Sequence, residues 1–289
     1  MYRQSGIVTF FPTLLYLIAK LGFTVHGKER KIMVRLYNFL KNEMEARKKV
    51  LSSDSTEAMF LDGYLEEMER HKQKNIKSTF SEAFLVGNAQ AMVIGGSETT
   101  RTAILWLFLA MAAFPEVQKK AQEEIDSVLG KDGKITWLER AKLPYVNATI
   151  MESQRWRSVV SLRHSASADA VVGGYDIPKG TEIIANLWAV HYDPEYWEEP
   201  EEFKPERFLV EENGKLTTTK PESFIPYSVG RRNCPGELLA LIELLHYFVV
   251  VLQNFTLLPE ADDKPPELIG DVGVSYHSKP QNLRFVPRD

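Results

Sequence analysis

The sequence predicts a mainly α-helical protein with small β-sheets, and three observations support this fold class. The first half of the chain shows long stretches with apolar residues at helical spacing, or with apolar residues almost all round. Strand signals are short and begin only with the β-branched pairs around Gly173 and Gly174. The composition, 44% hydrophobic and 26% charged, is that of a packed protein, so disordered and collagen-like classes are excluded.

Helices are expected through the first half, each bounded by a recognisable stop signal. The segment 83–113 is apolar almost all round, which predicts a helix buried through the centre of the domain. Pro115 marks its end, and Gly130 ends the charged amphipathic helix that follows. The expected helices cover residues 28–49, 58–72, 83–113, 116–129 and 143–157.

In the second half of the chain the residue pattern changes from helical to strand-like. Residues 170–184 carry β-branched pairs separated by Gly and Pro, which indicates a hairpin, and an irregular Pro-rich loop is expected from there to Gly230. An apolar helix is expected from Pro235 to about Gln253, followed by a short sheet from Phe255. No repeat recurs and no linker separates two cores, so we expect one domain spanning residues 1–289.

An apolar run near the amino terminus, residues 7–19, is interrupted by Pro12 and ended by Lys20. It is shorter than the ~20 apolar residues that a membrane-spanning helix needs. Only Arg3 precedes it, and no small-residue cleavage site follows, so it does not read as a signal peptide. We interpret it as a surface or groove helix, with interfacial membrane contact as the alternative.

Charge and cysteine content narrow the function classes. A net charge of −4 gives no field that attracts nucleic acid, so nucleic-acid binding is not expected. A single cysteine, Cys234, excludes internal disulfides and zinc sites with two or more thiolates, and it favours a reducing compartment.

The surroundings of Cys234 carry the clearest functional signal. We call the segment 224–236, FIPYSVGRRNCPG, the cysteine loop. Proline is tolerated in the first turn of a helix, so Cys234 is expected at or beside the N-cap, where the N–H groups and the helix dipole favour a thiolate. The arginines before it add positive charge, and Gly230 and Gly236 allow a tight turn and the close approach of a flat ligand. The pattern predicts a thiolate that faces a cavity.

Four residues of this loop, Gly230, Arg232, Cys234 and Gly236, match the signature F-x-x-G-x-R-x-C-x-G, so the chain resembles the cytochrome P-450 superfamily. The resemblance implies haem b as cofactor, with the Cys234 thiolate as the axial iron ligand and Arg232 bonded to a propionate. Tyr227 departs from the usual Phe; it keeps a ring beside the thiolate but adds a hydroxyl that needs a partner.

A second matching element is the pair Glu152 and Arg155, which share a helix face because they lie three residues apart. The segment PERF at 205–208 contains Arg207, and the resemblance implies that Arg207 completes a buried network with this pair. If one member is missing, the desolvation penalty of the remaining buried charges exceeds the attraction between them. We therefore assign these residues to folding and not to catalysis.

Residues 95–100, GGSETT, are unfavourable for a plain core helix, because each glycine costs about 1 kcal/mol and the acid and threonines are polar. They match the family's A/G-G-x-D/E-T-T motif. The resemblance implies that Thr99 hydrogen-bonds the iron-bound oxygen and that Glu98 takes part in proton delivery. Gly95 and Gly96 are expected to loosen the helix beside the cofactor and to make room for O₂ and water.

One further departure concerns propionate binding. Ser165 stands where many members carry an arginine, and the preceding His164 is the substitute donor that the resemblance suggests. The alternative is an ordinary loop histidine.

The resemblance covers almost the whole chain and starts inside the family pattern. It implies a partial P-450 fold, amino-terminally truncated, with a long central helix, a Glu-x-x-Arg helix, the cysteine loop and the following helix. The stretch 80–96 and the motif block look most like the animal microsomal group, the second clan. That group implies the cytoplasmic face of the endoplasmic reticulum membrane, although no anchor is recognised in this sequence.

The implied function is a haem-thiolate monooxygenase that inserts one atom of O₂ into a small apolar substrate. The implied partners are an NADPH-dependent flavoprotein reductase and, as a second candidate, cytochrome b5. Two alternatives stay open. One is a haem-thiolate isomerase or dehydratase that uses no O₂, and the other is a truncated product without catalysis that acts at most as a binding partner.

Overall fold

The computed structural model describes residues 25–50 and 60–288. The apolar run 7–19, the expected loop 51–56 and the start of the second expected helix lie outside these residues. The chain divides into two compact units, Met1–Gly96 and Ser97–Asp289.

Within the residues that the structure describes, the first unit contains two helices and the beginning of a third. Helix α1 spans Val25–Val50 and α2 spans Phe60–Gln73, close to the expected positions. A small core formed by Met44, Leu85 and Val86 packs against partly buried residues of α1 and α2. The nearly buried carboxylate of Asp62 accepts two hydrogen bonds of 2.7 Å from Arg47, which joins the two helices.

The remaining α-helices in the described residues are α3 Glu82–Ala113, α4 Pro115–Leu129, α5 Pro144–Trp156, α6 Leu187–Tyr192 and α7 Glu237–Asn254. Helices α3, α4 and α5 begin and end within one residue of the expected positions, whereas α6 was not expected and α7 begins two residues later than expected. Both α4 and α5 start with proline, whose missing N–H costs nothing in a first turn. Helix α4 ends at Gly130, which adopts the positive φ of 68° that glycine tolerates.

The amino-terminal end of α5 is held by a carboxylate from α4. The backbone N–H groups of Tyr145 and Val146 donate to the two oxygens of Glu124 at 2.9 and 2.8 Å. These are N–H groups that a helix cannot satisfy within itself. Burial raises the pKa of Glu124, while these two bonds oppose that rise. The contact fixes the start of α5, the helix that carries Glu152 and Arg155.

The main core of the second unit lies between α3, α4, α5 and α7. Helix α7 contributes most to it, through Leu244, Leu245, Phe248, Val249 and Leu252. Within the described part of the chain, α7 is also the helix long and apolar enough to cross a membrane by itself. Because one of its faces is fully buried against the other helices, we interpret it as a core helix.

The strands form two-stranded antiparallel sheets, as the fold class requires. The hairpin expected at 170–184 is present in its first part, where β2 and β3 meet at Gly173 and Gly174, both with positive φ. The pairs are β1 Arg163–Ser165 with β4 Glu182–Ile184, β2 Ala170–Val172 with β3 Tyr175–Ile177, β5 Leu209–Glu212 with β6 Lys215–Thr218, β7 Phe255–Pro259 with β10 Leu283–Pro287, and β8 Gly270–Val272 with β9 Tyr276–Ser278.

Two expectations are corrected. The stretch before Gly230 is not wholly irregular, because it contains α6, a 3-10 turn at Pro205–Phe208 and the β5–β6 hairpin. That hairpin turns at Asn213-Gly214, a strong hairpin signal that the sequence analysis overlooked.

Helix α3 is buried near its end, at residues such as Trp106 and Met111, but exposed at Met92, Val93 and Ile94. The mainly α fold with small sheets is confirmed.

Candidate functional site

The cysteine loop is closed by backbone hydrogen bonds. The N–H of Cys234 donates to the carbonyl oxygen of Tyr227 at 2.9 Å, and the N–H of Asn233 donates to that of Gly230 at 3.2 Å. Ser228 and Gly230 both have positive φ, 64° and 75°. A side chain at position 230 would meet no other atom, so glycine is favoured there by its backbone conformation and not by crowding.

The structure corrects the expected position of Cys234 relative to the following helix. Helix α7 begins at Glu237 with Gly236 as its N-cap, so Cys234 lies two residues before the cap and Pro235 lies outside the helix. The sequence analysis placed Pro235 in the first turn.

The thiol is presented on an exposed, partly apolar surface. Cys234 is exposed, and the neighbouring side chains of Val229 and Leu238 are 64% and 58% exposed. Arg231 and Arg232 are exposed in the same loop. Among the described residues no group of three or more His, Cys, Asp or Glu could hold a metal ion. A metal ion bound here would therefore have the Cys234 thiolate as its protein ligand, and its other ligands would come from a cofactor that carries the ion.

These features fit haem. The macrocycle supplies four ligands to its iron and needs one axial donor from the protein, which a single cysteine provides. Its faces are apolar, in agreement with the exposed side chains around the thiol, and its propionates are anionic, in agreement with the two arginines.

The hydroxyl of Tyr227 has the partner that its position requires. The amide Nε2 of Gln154, on α5, donates to it at 2.6 Å. Burial and the nearby charge of Cys234 raise the pKa of Tyr227, so the phenol stays protonated. Gln154 lies within the ESQR segment of α5, but the sequence analysis did not single it out.

Glu152, Arg155 and Arg207 are brought together as the sequence analysis expected. Both side chains of the pair are fully buried, and Arg155 binds the two carboxylate oxygens at 2.7 and 2.8 Å. Arg207 reaches the same carboxylate at 3.2 Å, and the backbone N–H of Lys204 donates to it at 2.8 Å. Arg155 also donates to the carbonyl oxygen of His191 at 2.7 Å.

His191 links this network to the cysteine loop. Its Nε2 accepts a hydrogen bond of 3.0 Å from the backbone N–H of Ile225, so Nδ1 carries the proton and donates to Ser158 at 2.6 Å. Burial, and secondarily the charge of Arg155, lower the pKa of His191 to about 4. The imidazole is therefore neutral near pH 7. Nothing in the sequence indicated this role for His191, because burial cannot be read from a lone histidine.

The residues expected near the cofactor on α3 all lie on one unbroken helix. Gly95 and Gly96 each have open space where a side chain would begin. The carboxylate of Glu98 lies 3.9 Å from the guanidinium of Arg101, and both side chains are exposed. Thr99 is half-buried. The helix is continuous from Glu82 to Ala113, so the expected loosening is not seen as a break.

His164 is exposed on β1, opposite Ile183 of β4. No hydrogen bond joins it to the cysteine loop in the part of the chain that the structure describes. The structure therefore leaves His164 apart from the other candidate residues.

Comparisons with known proteins agree with the signature of the loop. The family model described as "Cytochrome P450" matches residues 3–285. The human protein "Cytochrome P450 2U1" is 39% identical over 287 residues, which is 99% of this chain and 51% of that protein. The mouse protein of the same name is 38% identical over 291 residues, which is 100% of this chain and 53% of that protein.

The human protein "Cytochrome P450 2J2" is 41% identical over 231 residues, covering 79% of this chain and 45% of that protein. The chain thus spans about half the length of the relatives it matches.

Proposed function

Because the chain belongs to the cytochrome P450 family, we propose that it forms the haem-binding part of a haem-thiolate monooxygenase. The protein would insert one atom of O₂ into a small apolar substrate and reduce the other to water. The observation that carries this proposal is the exposed thiol of Cys234, held in a closed turn between apolar side chains and two arginines.

Each candidate residue has a role that suits its place. Cys234 would supply a thiolate ligand to the haem iron, and Arg232 would supply charge for a propionate. His164 is the second propionate candidate, and no hydrogen bond joins it to the loop in the described residues. A Cβ at Gly236 would lie 3.9 Å from the Cys234 sulfur, so glycine there keeps a side chain away from the thiol, while Gly230 is favoured by its positive φ.

Haem supplies, when bound, a redox-active iron suited to O₂ chemistry. The residues of α3 would serve proton movement when haem is bound. The hydroxyl of Thr99 can accept and donate a hydrogen bond, and Glu98 is exposed and able to exchange protons with water. Gly95 and Gly96 leave open space on the same helix.

The electron donor we propose is an NADPH-dependent flavoprotein reductase, with cytochrome b5 as a second donor. Lys119, Lys120, Arg231 and Arg232 are the basic residues available for an acidic partner, and of these Lys120 is already paired with Glu206 at 2.7 Å. We place the protein at the cytoplasmic face of the endoplasmic reticulum membrane, on the resemblance to microsomal members of the family.

Haem titration of the purified 289-residue chain tests the proposal. We expect weak binding with a thiolate-type band in the reduced carbonyl spectrum, and no substrate turnover. The reason is that the thiol side of the cysteine loop is exposed, so few described residues would enclose the macrocycle. Fusion to the amino-terminal half of a relative should raise haem content to one per chain.

Two outcomes would contradict this. A reduced carbonyl spectrum without a thiolate-type band, in both the chain and the fusion, would reject the haem-thiolate assignment. Turnover of the fusion that does not require NADPH or O₂ would instead favour an isomerase or dehydratase.

Replacing Thr99 by alanine should separate haem binding from proton delivery. We expect unchanged haem spectra in the fusion, because the hydroxyl does not bind iron, while product formed per NADPH consumed falls at least about tenfold as reduced oxygen leaks to peroxide. Thr102→Ala is the matched control, since Thr102 lies one turn further along α3 and is fully buried. Equal ratios for wild type and Thr99→Ala would show that Thr99 only packs the helix.

A further inference from the structure

The hydrogen bond between Gln154 and Tyr227 joins helix α5 to the cysteine loop at the residue that holds the cysteine. Gln154 Nε2 donates to the Tyr227 hydroxyl at 2.6 Å, and the Tyr227 carbonyl oxygen accepts the N–H of Cys234 at 2.9 Å. Tyr227 thus accepts one hydrogen bond from α5 at its side chain and another from Cys234 at its backbone carbonyl.

We propose that Gln154 is a positioning residue for the Cys234 thiolate and acts through Tyr227. The inference rests on the proposed haem site and deepens it, because it names what fixes the axial ligand from the protein interior.

A contribution to folding stability does not explain why Gln154 and Tyr227 carry polar groups here. Gln154 is only 8% exposed, and its Oε1 has no hydrogen-bond partner among the described residues. A buried amide with an unsatisfied oxygen is unfavourable, and an apolar pair of the same shape would be neutral or stabilising. What the polar pair adds is direction, because a hydrogen bond fixes the orientation of the ring while apolar packing alone does not.

The loop needs such a restraint at this point. Ser228 and Gly230 both adopt left-handed backbone conformations directly after Tyr227, and this costs energy at the serine. The preceding end of the loop is already anchored, since the N–H of Ile225 donates to the buried ring of His191. Gln154 provides a second anchor at Tyr227, which lies between Ile225 and Cys234. The loop is therefore bonded to helix α5 before the chain continues to Cys234.

Hydrogen exchange on the haem-free 289-residue chain tests the restraint without reference to the cofactor. We compare Gln154→Leu, Tyr227→Phe and the double variant. Loss of one hydrogen bond should speed exchange of the Cys234 amide about fivefold. The double variant should show the same fivefold change, because both substitutions remove one shared bond. Gln122→Leu, which removes a buried glutamine of α4 that bonds Phe255, should leave this amide unchanged.

The second readout is the rate at which the haem-loaded chain loses its thiolate-type carbonyl band on standing. We expect each single variant and the double variant to lose the band about fivefold faster than wild type, since detachment of the thiolate requires the loop to move. The double variant should nevertheless unfold at a higher urea concentration than Gln154→Leu, because it buries no unpaired hydroxyl. If Gln154 and Tyr227 only stabilised the fold, the rate of band loss would follow the stability of each variant, and the more stable double variant would lose the band at the wild-type rate. That result overturns the proposal.

The two hypotheses fail separately. Absence of the thiolate-type band from both the wild-type chain and its fusion rejects the haem site, while the exchange data still decide on the restraint. Unchanged exchange at the Cys234 amide in both single variants rejects the restraint whatever the spectra show.

Discussion

Cys234→Ser abolishes the thiolate-type band of the reduced carbonyl complex completely. Cys234 is the single cysteine of the chain, so no other thiolate of the chain can replace the ligand. A neutral serine hydroxyl cannot supply the electron donation of a thiolate to iron. The measurement is the reduced carbonyl spectrum of the fusion to an amino-terminal half, recorded at equal haem content for variant and wild type.

The neighbouring residue provides the control for this result. Asn233 is exposed, and its backbone N–H bond to Gly230 does not depend on its side chain. Asn233→Ala should therefore keep the band at wild-type intensity. A thiolate-type band that survives Cys234→Ser would show that the ligand assignment is wrong.

Glu152→Gln lowers the free energy of unfolding by about 3–5 kcal/mol, the usual cost of breaking a buried ion pair from one side. Both partners are fully buried, and the carboxylate accepts hydrogen bonds from Arg155, Arg207 and the backbone of Lys204. A glutamine leaves the Arg155 cation buried without its counter-charge. Against a typical total of about 5–15 kcal/mol, this loss leaves a marginal fold. Urea unfolding followed by circular dichroism measures it.

A surface ion pair in the same chain tests whether the loss of stability comes from burial of the pair or from the charge change alone. Glu182 and Arg163 lie 3.4 Å apart on β4 and β1, and both are about half exposed. Exposed pairs contribute about 0–1 kcal/mol, so Glu182→Gln should change stability by less than about 1 kcal/mol. If the two glutamine variants unfold at the same urea concentration, the Glu152 network is not the folding element we infer.

Local signals in the sequence were sufficient for the helices and for the identity of the loop. Pro115, Gly130 and Pro144 mark helix ends through properties of single residues, a fixed φ and an absent N–H in proline and a tolerated positive φ in glycine. The structure has helix ends at or beside each of them. The spacing of Glu152 and Arg155 likewise indicated a shared helix face.

Pairing across the chain was predictable only where a motif linked distant residues. Arg207 was expected beside Glu152 because the PERF segment resembles the family pattern, and the two side chains do meet. Gln154 and Tyr227 lie 73 residues apart, and no pattern connects an amide on α5 to a phenol in the loop. The sequence showed that the hydroxyl needed a partner, but not which residue provides one.

The sequence alone determined the fold class, the order of the helices and the identity of the candidate ligand, because these depend on periodicity, on conformational limits of proline and glycine, and on a contiguous motif. Tertiary structure decided that His191 is neutral and that Cys234 precedes the helix cap. The pKa of His191 follows from burial beside Arg155, and α7 begins at Glu237 with Gly236 as its N-cap. Desolvation and competing hydrogen bonds arise only when separate segments pack together.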